Sequence, residues 1–224
     1  MGIRTPFIFT LLVSSLTVFG QTSINVQDKD AAYIKTITSR SEKIVATLGI
    51  SDPSKANQIT TIIAGQYSNL NSVYTERDEQ IKIIKQKGLS KEAMDAEIKN
   101  AEASAAKKIE PLHAAFLSAL SSKLSGEQVT KVKDGMTYNV VHVTYDAFVD
   151  MIPSLTKAQK DQIMAWLVEA REHAMDAESS EKKHWWFGKY KGRINNYLSA
   201  QGYDLQKERK EWEERNKQKN KNQN

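Results

Sequence analysis

Cysteine is absent from this chain of 224 residues. That excludes a disulfide framework, a lipid-modified cysteine and a thiolate nucleophile. The chain has no glycine-rich phosphate loop and no G-x-S-x-G elbow, so two common routes to nucleotide and ester hydrolysis lack their hardware. Histidine is scarce and scattered, at positions 113, 142, 173 and 184. Beyond the N-terminus there is no long apolar run. The one that exists, Pro6 to Phe19, follows a single cation, Arg4, and is too short for a comfortable membrane span. With Val18 and Gly20 as small or short residues ahead of Gln21, it reads as a signal peptide over residues 1–20. A periplasmic or secreted protein without a membrane span after cleavage is the expectation, and an exported chain without cysteine suits a bacterial periplasm.

Excess charge of one sign is also lacking once the chain is divided. The formal net charge is +5, and losing the leader with Arg4 lowers it to +4. The tail from Lys207 to Asn224 carries seven Lys/Arg and four Glu, a net +3, so the body between is near +1. A nucleic-acid binder would carry a basic face on its folded part, so no nucleic-acid partner is expected. The tail, 207–224, reads as a solvated, fraying charged helix.

What is present is helical periodicity. Ile34, Ile37, Ile44, Val45 and Leu48 recur at helical spacing from Asp28 to Leu48, ahead of Gly49. A second stripe starts at Pro53 behind the cap residues Ser51 and Asp52 and runs through Ile59, Ile63, Leu70 and Ile84 to Gly88. A third starts behind Ser90 and runs to Leu124, with a kink expected at Pro111. The second and third predict a long antiparallel αα-hairpin, about 53–124, with arms of about 45–50 Å at ~1.5 Å per residue. Further helices are expected from Thr156 to about Ala177, from Ser180 to Gln201, and behind Asp204. Between them, "MTYNVVHVTY" is β-branched and aromatic. With no second strand to pair with, it reads as extended packing. The expected fold is an all-α, elongated helical bundle with a C-terminal helical subdomain at about 144–206, the whole of 21–206 forming one domain.

Three helix starts repeat a Leu before a Ser/Thr cap, at Leu89, Leu124 and Leu155, which is the hydrophobic staple arrangement. Leu124-Ser125-Gly126-Glu127-Gln128 and Leu155-Thr156-Lys157-Ala158-Gln159 also resemble the LTxxQ motif of small helical periplasmic chaperones and stress sensors. That resemblance implies a protein partner met through the long hairpin.

The densest chemistry lies in "HWWFGKYKGRINNYLSAQGYDL", residues 184 to 205. At about 100° per residue, Trp186, Phe187, Tyr190, Ile194, Tyr197 and Leu198 share an apolar, core-facing side. Trp185, Gly188, Lys189, Gly192 and Asn196 fall opposite. Two glycines at i, i+4 cost a helix about 1 kcal/mol each, so either another helix approaches closely there or a ligand does. An indole beside an amide and a cation suits a sugar: the ring stacks on C–H faces while the polar groups bond hydroxyls. The candidate ligand-binding residues are Trp185, Lys189, Asn196, His184 and Arg193. The stretch "WFGKYKGRINNYLSAQGYDL", with the upstream "VKDGMTYNVVHVTYDAFVDMIPSLTKAQKDQIMAWLVEAREHAMDA", resembles an uncharacterised family of exported proteins from Gram-negative gut bacteria. The resemblance covers roughly residues 30 to 206. It implies a domain of unknown function with a suggested sugar-binding role, and no catalytic residues.

Metal and enzyme chemistry have thinner support. Glu169, His173 and Asp176 share a helical face at a spacing able to hold a metal, yet exposed polar residues show the same spacing. Asp146 and Asp150 would serve glycosidase chemistry only if set about 5–9 Å apart in a cleft. The expectation is therefore a non-enzymatic carbohydrate-binding protein without a cofactor or metal. A chaperone-like interaction protein is the second reading, and an enzyme on polysaccharide fragments the third.

Overall fold

A computed structural model describes residues 20–221, with side chains from Asp30 to Lys219. The leader expected at residues 1–20 lies, apart from Gly20, outside the described residues. Eight helices follow in order: α1 (Gly20–Ala46), α2 (Pro53–Gln86), α3 (Lys91–Ser121), α4 (Gly126–Met136), α5 (Val140–Met151), α6 (Lys157–Met175), α7 (Ser180–Ala200) and α8 (Leu205–Lys221). There is no strand among the described residues, and the protein is an all-α helical bundle.

The helix starts are set by local chemistry. Asp52 accepts from the Ser54 N–H with Pro53 in the first helical turn. Ser90 and Ser179 cap α3 and α7. At Leu124 and Leu155 the repeated motif forms two complete capping boxes, Ser125 with Gln128 and Thr156 with Gln159. The glutamines do more than cap. Gln128 Nε2 donates to the Leu48 carbonyl, and Gln159 Oε1 accepts from the Tyr203 hydroxyl. Leu124 and Leu155 are both buried. The motif is thus a device for starting α4 and α6 and docking them.

Two cores result. The first gathers Ile44, Leu48, Ile59, Ile63, Phe116, Leu120, Val132 and Met136, from α1 to α4, together with Met175 of α6. The second gathers Phe148, Ile152, Ile163, Leu167, Phe187, Ile194 and Leu198, from α5 to α7. The far half of the α2–α3 hairpin adds little to either, with Ile84, Ala101 and Ala105 its only buried apolar side chains beyond Leu70. Helix α3 runs unbroken through Pro111.

The two halves are joined through α4 and α6. Arg171 and Asp134, both buried, pair at 2.7 Å, while Lys133 bonds Glu172 at 2.8 Å and His142 reaches Asp134 at 3.2 Å. A second junction sits at the end of α6. There Asp176 takes His113 at 2.6 Å and Gln66 at 3.3 Å, and its carbonyl accepts from the Tyr74 hydroxyl. Buried Lys183 donates to the carbonyls of Ala174 and Met175.

Two expectations are corrected. The run 136–145 is not extended. Thr137 ends α4, Tyr138 and Asn139 turn in the left-handed region at φ 58°, and α5 begins at Val140. Val141, Thr144 and Phe148 are buried at i, i+3, i+7, so a helix period hidden by β-branched residues decides the conformation. The tail does not stand free. The Trp212 indole donates to Asp150, and Arg215 donates to the carbonyls of Asp150 and Met151, so α8 is fastened across the end of α5. Of the two alternatives left open at Gly188 and Gly192, no helix packs closely there; the close approach falls at Gly135, where an added Cβ would lie 2.9 Å from Ile44 Cγ1.

Candidate functional site

Helix α7 divides as its wheel requires. Phe187, Tyr190, Ile194 and Leu198 are buried, and Trp186 is half-buried against the second core. The Trp186 ring stacks on His173 of α6, with ring centres 4.4 Å apart. Trp185 stands 55% exposed with its ring edge-on to Trp186 at 5.1 Å. The Lys189 ammonium lies over both indoles, 5.8 Å from Trp185 and 5.0 Å from Trp186. An added Cβ at Gly188 or Gly192 would meet nothing within 4 Å. The glycines therefore leave an open lane beside the exposed indole and pack against no helix.

The sequence-derived residues are only partly brought together. Trp185 and Lys189 are neighbours. Arg193 turns to the next face, over the Trp166 ring at 4.6 Å and 3.4 Å from Glu169. His184 stacks on Tyr138 of the left-handed turn at 5.8 Å. Asn196 is exposed on the Trp185 side, but eleven residues further on places it roughly 16 Å along the helix axis. A single sugar ring cannot touch both Trp185 and Asn196. What the sequence did not single out is the support from α6: His173 beneath Trp186, and Trp166 beneath Arg193 and edge-on to Tyr197. Burial and the Glu169 carboxylate push the Tyr190 hydroxyl up, so it stays a neutral donor below this ledge.

The residues of the metal alternative separate in space. Glu169 faces Arg193, His173 faces Trp186 and Asp176 faces His113. Among the described residues no cluster of three or more His, Asp or Glu is placed to hold a metal. Asp150 is held by Trp212 and Lys219, which keep its carboxyl below the usual range. A general acid needs the opposite shift.

The fold defines an all-α protein whose exposed aromatic ledge lies on its seventh helix. Residues 34–218 match the family described as "Protein of unknown function (DUF3826)", and the chain belongs to that family. The match extends through most of α8, in keeping with its attachment to α5. No curated protein matches the chain. No described helix is long and apolar enough to cross a membrane.

Proposed function

We propose that this protein is an exported, non-enzymatic carbohydrate-binding protein that meets a glycan chain along the open face of α7. The observation that carries the reading is Trp185, exposed and held edge-on by Trp186 with a lysine ammonium above both rings. A braced indole loses little freedom on binding and offers a flat face to sugar C–H groups. The lane past Gly188 and Gly192 toward Asn196 suits a ligand of several rings. Export rests on the sequence of residues 1–20 and is checked by N-terminal mass spectrometry of protein from a native host, where a start near Gln21 is expected.

The binding test compares two neighbouring tryptophans. Trp185→Ala should melt like the parent and lose most glycan affinity, since truncating an aromatic anchor commonly costs ~2 kcal/mol or more. Trp186→Ala should lose stability instead, by less than the ~3–5 kcal/mol of a fully buried Trp, because it is half-buried. Calorimetric titration against neutral oligosaccharides chosen from a glycan array reads the first, and thermal melts the second. Undiminished affinity in Trp185→Ala would sink the reading. A protein-partner reading keeps one support: Ile83, 58% exposed, and Leu89, 37% exposed, crown the far end of the hairpin. Ile83→Asp abolishing capture of a partner, with glycan binding unchanged, would favour it.

A further inference from the structure

We propose that the cavity between α5, α7 and α8 is a binding site for an acidic sugar. It shares with the preceding reading only the carbohydrate nature of the ligand, and it lies on a different side of α7. Its volume is about 460 Å³, within the roughly 300–1,000 Å³ of small-ligand sites. Phe148 and Met151 of α5 line its apolar side, and the Trp212 indole of α8 faces the same space. That indole is fixed in advance. Its Nε1 donates to Asp150 Oδ2 at 2.5 Å, and Arg215 ties the same turn of α8 to the end of α5. A ring held by its edge leaves its faces free for stacking.

The polar lining chooses the ligand. Lys191 of α7 and Arg209 of α8 enter the cavity from two helices. Among the described residues neither forms an ion pair, whereas the neighbouring cations Arg193, Lys207 and Lys219 are each matched to an acid. Glu213 is the one acid in the lining, so the cavity carries a net positive charge. Two cations brought together from separate helices, one able to bond in a bidentate fork, are complementary to a carboxylate. Asn195 and Glu213 supply the donors and acceptors that hydroxyl groups require. An apolar acid would leave Glu213 facing a group that cannot donate to it, and a neutral sugar would leave both cations unanswered. A uronic acid answers all of them with one ring.

The test uses the full mature chain, titrated calorimetrically and by tryptophan fluorescence with trigalacturonate, the matched neutral galactose oligomer, benzoate and inorganic sulfate. Trigalacturonate should bind, more weakly as salt rises. Lys191→Met and Arg209→Met should each lower its affinity about tenfold or more, with unchanged melts because both side chains are exposed. Trp185→Ala should leave that affinity intact. The proposal is overturned if trigalacturonate does not bind, if benzoate or sulfate binds as well, or if Trp185→Ala removes binding that Lys191→Met keeps. Neutral glycans bound through Trp185 with no acidic-sugar binding would sink this site and leave the preceding reading standing. Acidic-sugar binding alone, lost in Lys191→Met, would do the reverse.

Discussion

Lys183 offers a quantitative test of how the two halves of the fold are joined. Lys183 is 6% exposed, and its ammonium sits under the last turn of α6, donating to the Ala174 carbonyl at 3.0 Å and the Met175 carbonyl at 2.9 Å. These carbonyls belong to the last turn of α6, at the negative end of the helix dipole, and the Ala174 carbonyl also accepts from the Ala177 N–H. Burial nevertheless outweighs the nearby Asp176 carboxylate and pushes Lys183 down from 10.5 to about 8. The unfolded chain therefore keeps this proton to a higher pH than the folded one. Between about 8 and 10.5 the unfolded state binds more protons, so stability rises with pH across that window. At about 1.4 kcal/mol per pH unit the full rise is about 3 kcal/mol. Tyr67 and Tyr74, raised to about 12 chiefly by burial, act oppositely above pH 10, where only the unfolded chain ionises. Lys183→Met keeps the apolar stem, removes the titration and leaves both tyrosines in place. Urea unfolding of parent and variant at several values from about pH 7.5 to 10 isolates Lys183 as the difference between the two curves. That difference should grow in favour of the parent by roughly 2–3 kcal/mol. A flat difference, or one that grows for the variant, would refute the assignment of a buried, charged Lys183.

Three further outcomes are expected. Gly135→Ala drives a Cβ into Ile44 and should cost about 1–3 kcal/mol by overpacking; in a cycle with Ile44→Ala the double variant should lose less than the sum, and strict additivity would disprove the contact. Asp134→Ala leaves buried Arg171 with Glu172, at 3.2 Å, as its remaining acidic partner, so it should destabilise by about 1.5–3 kcal/mol in denaturant melts, less than a fully stranded buried charge; a loss below about 1 kcal/mol would mean the pair is solvated, as surface pairs are. The hairpin arms should give a radius of gyration by small-angle scattering above the roughly 16–17 Å of a compact chain of this size, and a value at or below that would show the arms folded back.

The all-α class and the placement of most helices were legible in the sequence because they depend on local physics. Caps at Asp52, Ser90, Ser125 and Thr156, and apolar residues repeating at 3.6, act within a few residues of chain. The two sides of α7, with Trp185 out and Phe187, Ile194 and Leu198 in, were legible for the same reason. Tertiary structure decided the rest. Val140 to Met151 is helical because Val141 and Phe148 find the second core, a gain that local β-propensity cannot weigh. Gly188 and Gly192 could not be told from packing glycines, since whether a neighbour stands opposite is a long-range fact; among the described residues it is Gly135 that meets a neighbour. The charged tail gave no apolar stripe to announce its docking. Only the meeting of Trp212 and Arg215 with the end of α5, more than sixty residues away, reveals the cavity between them.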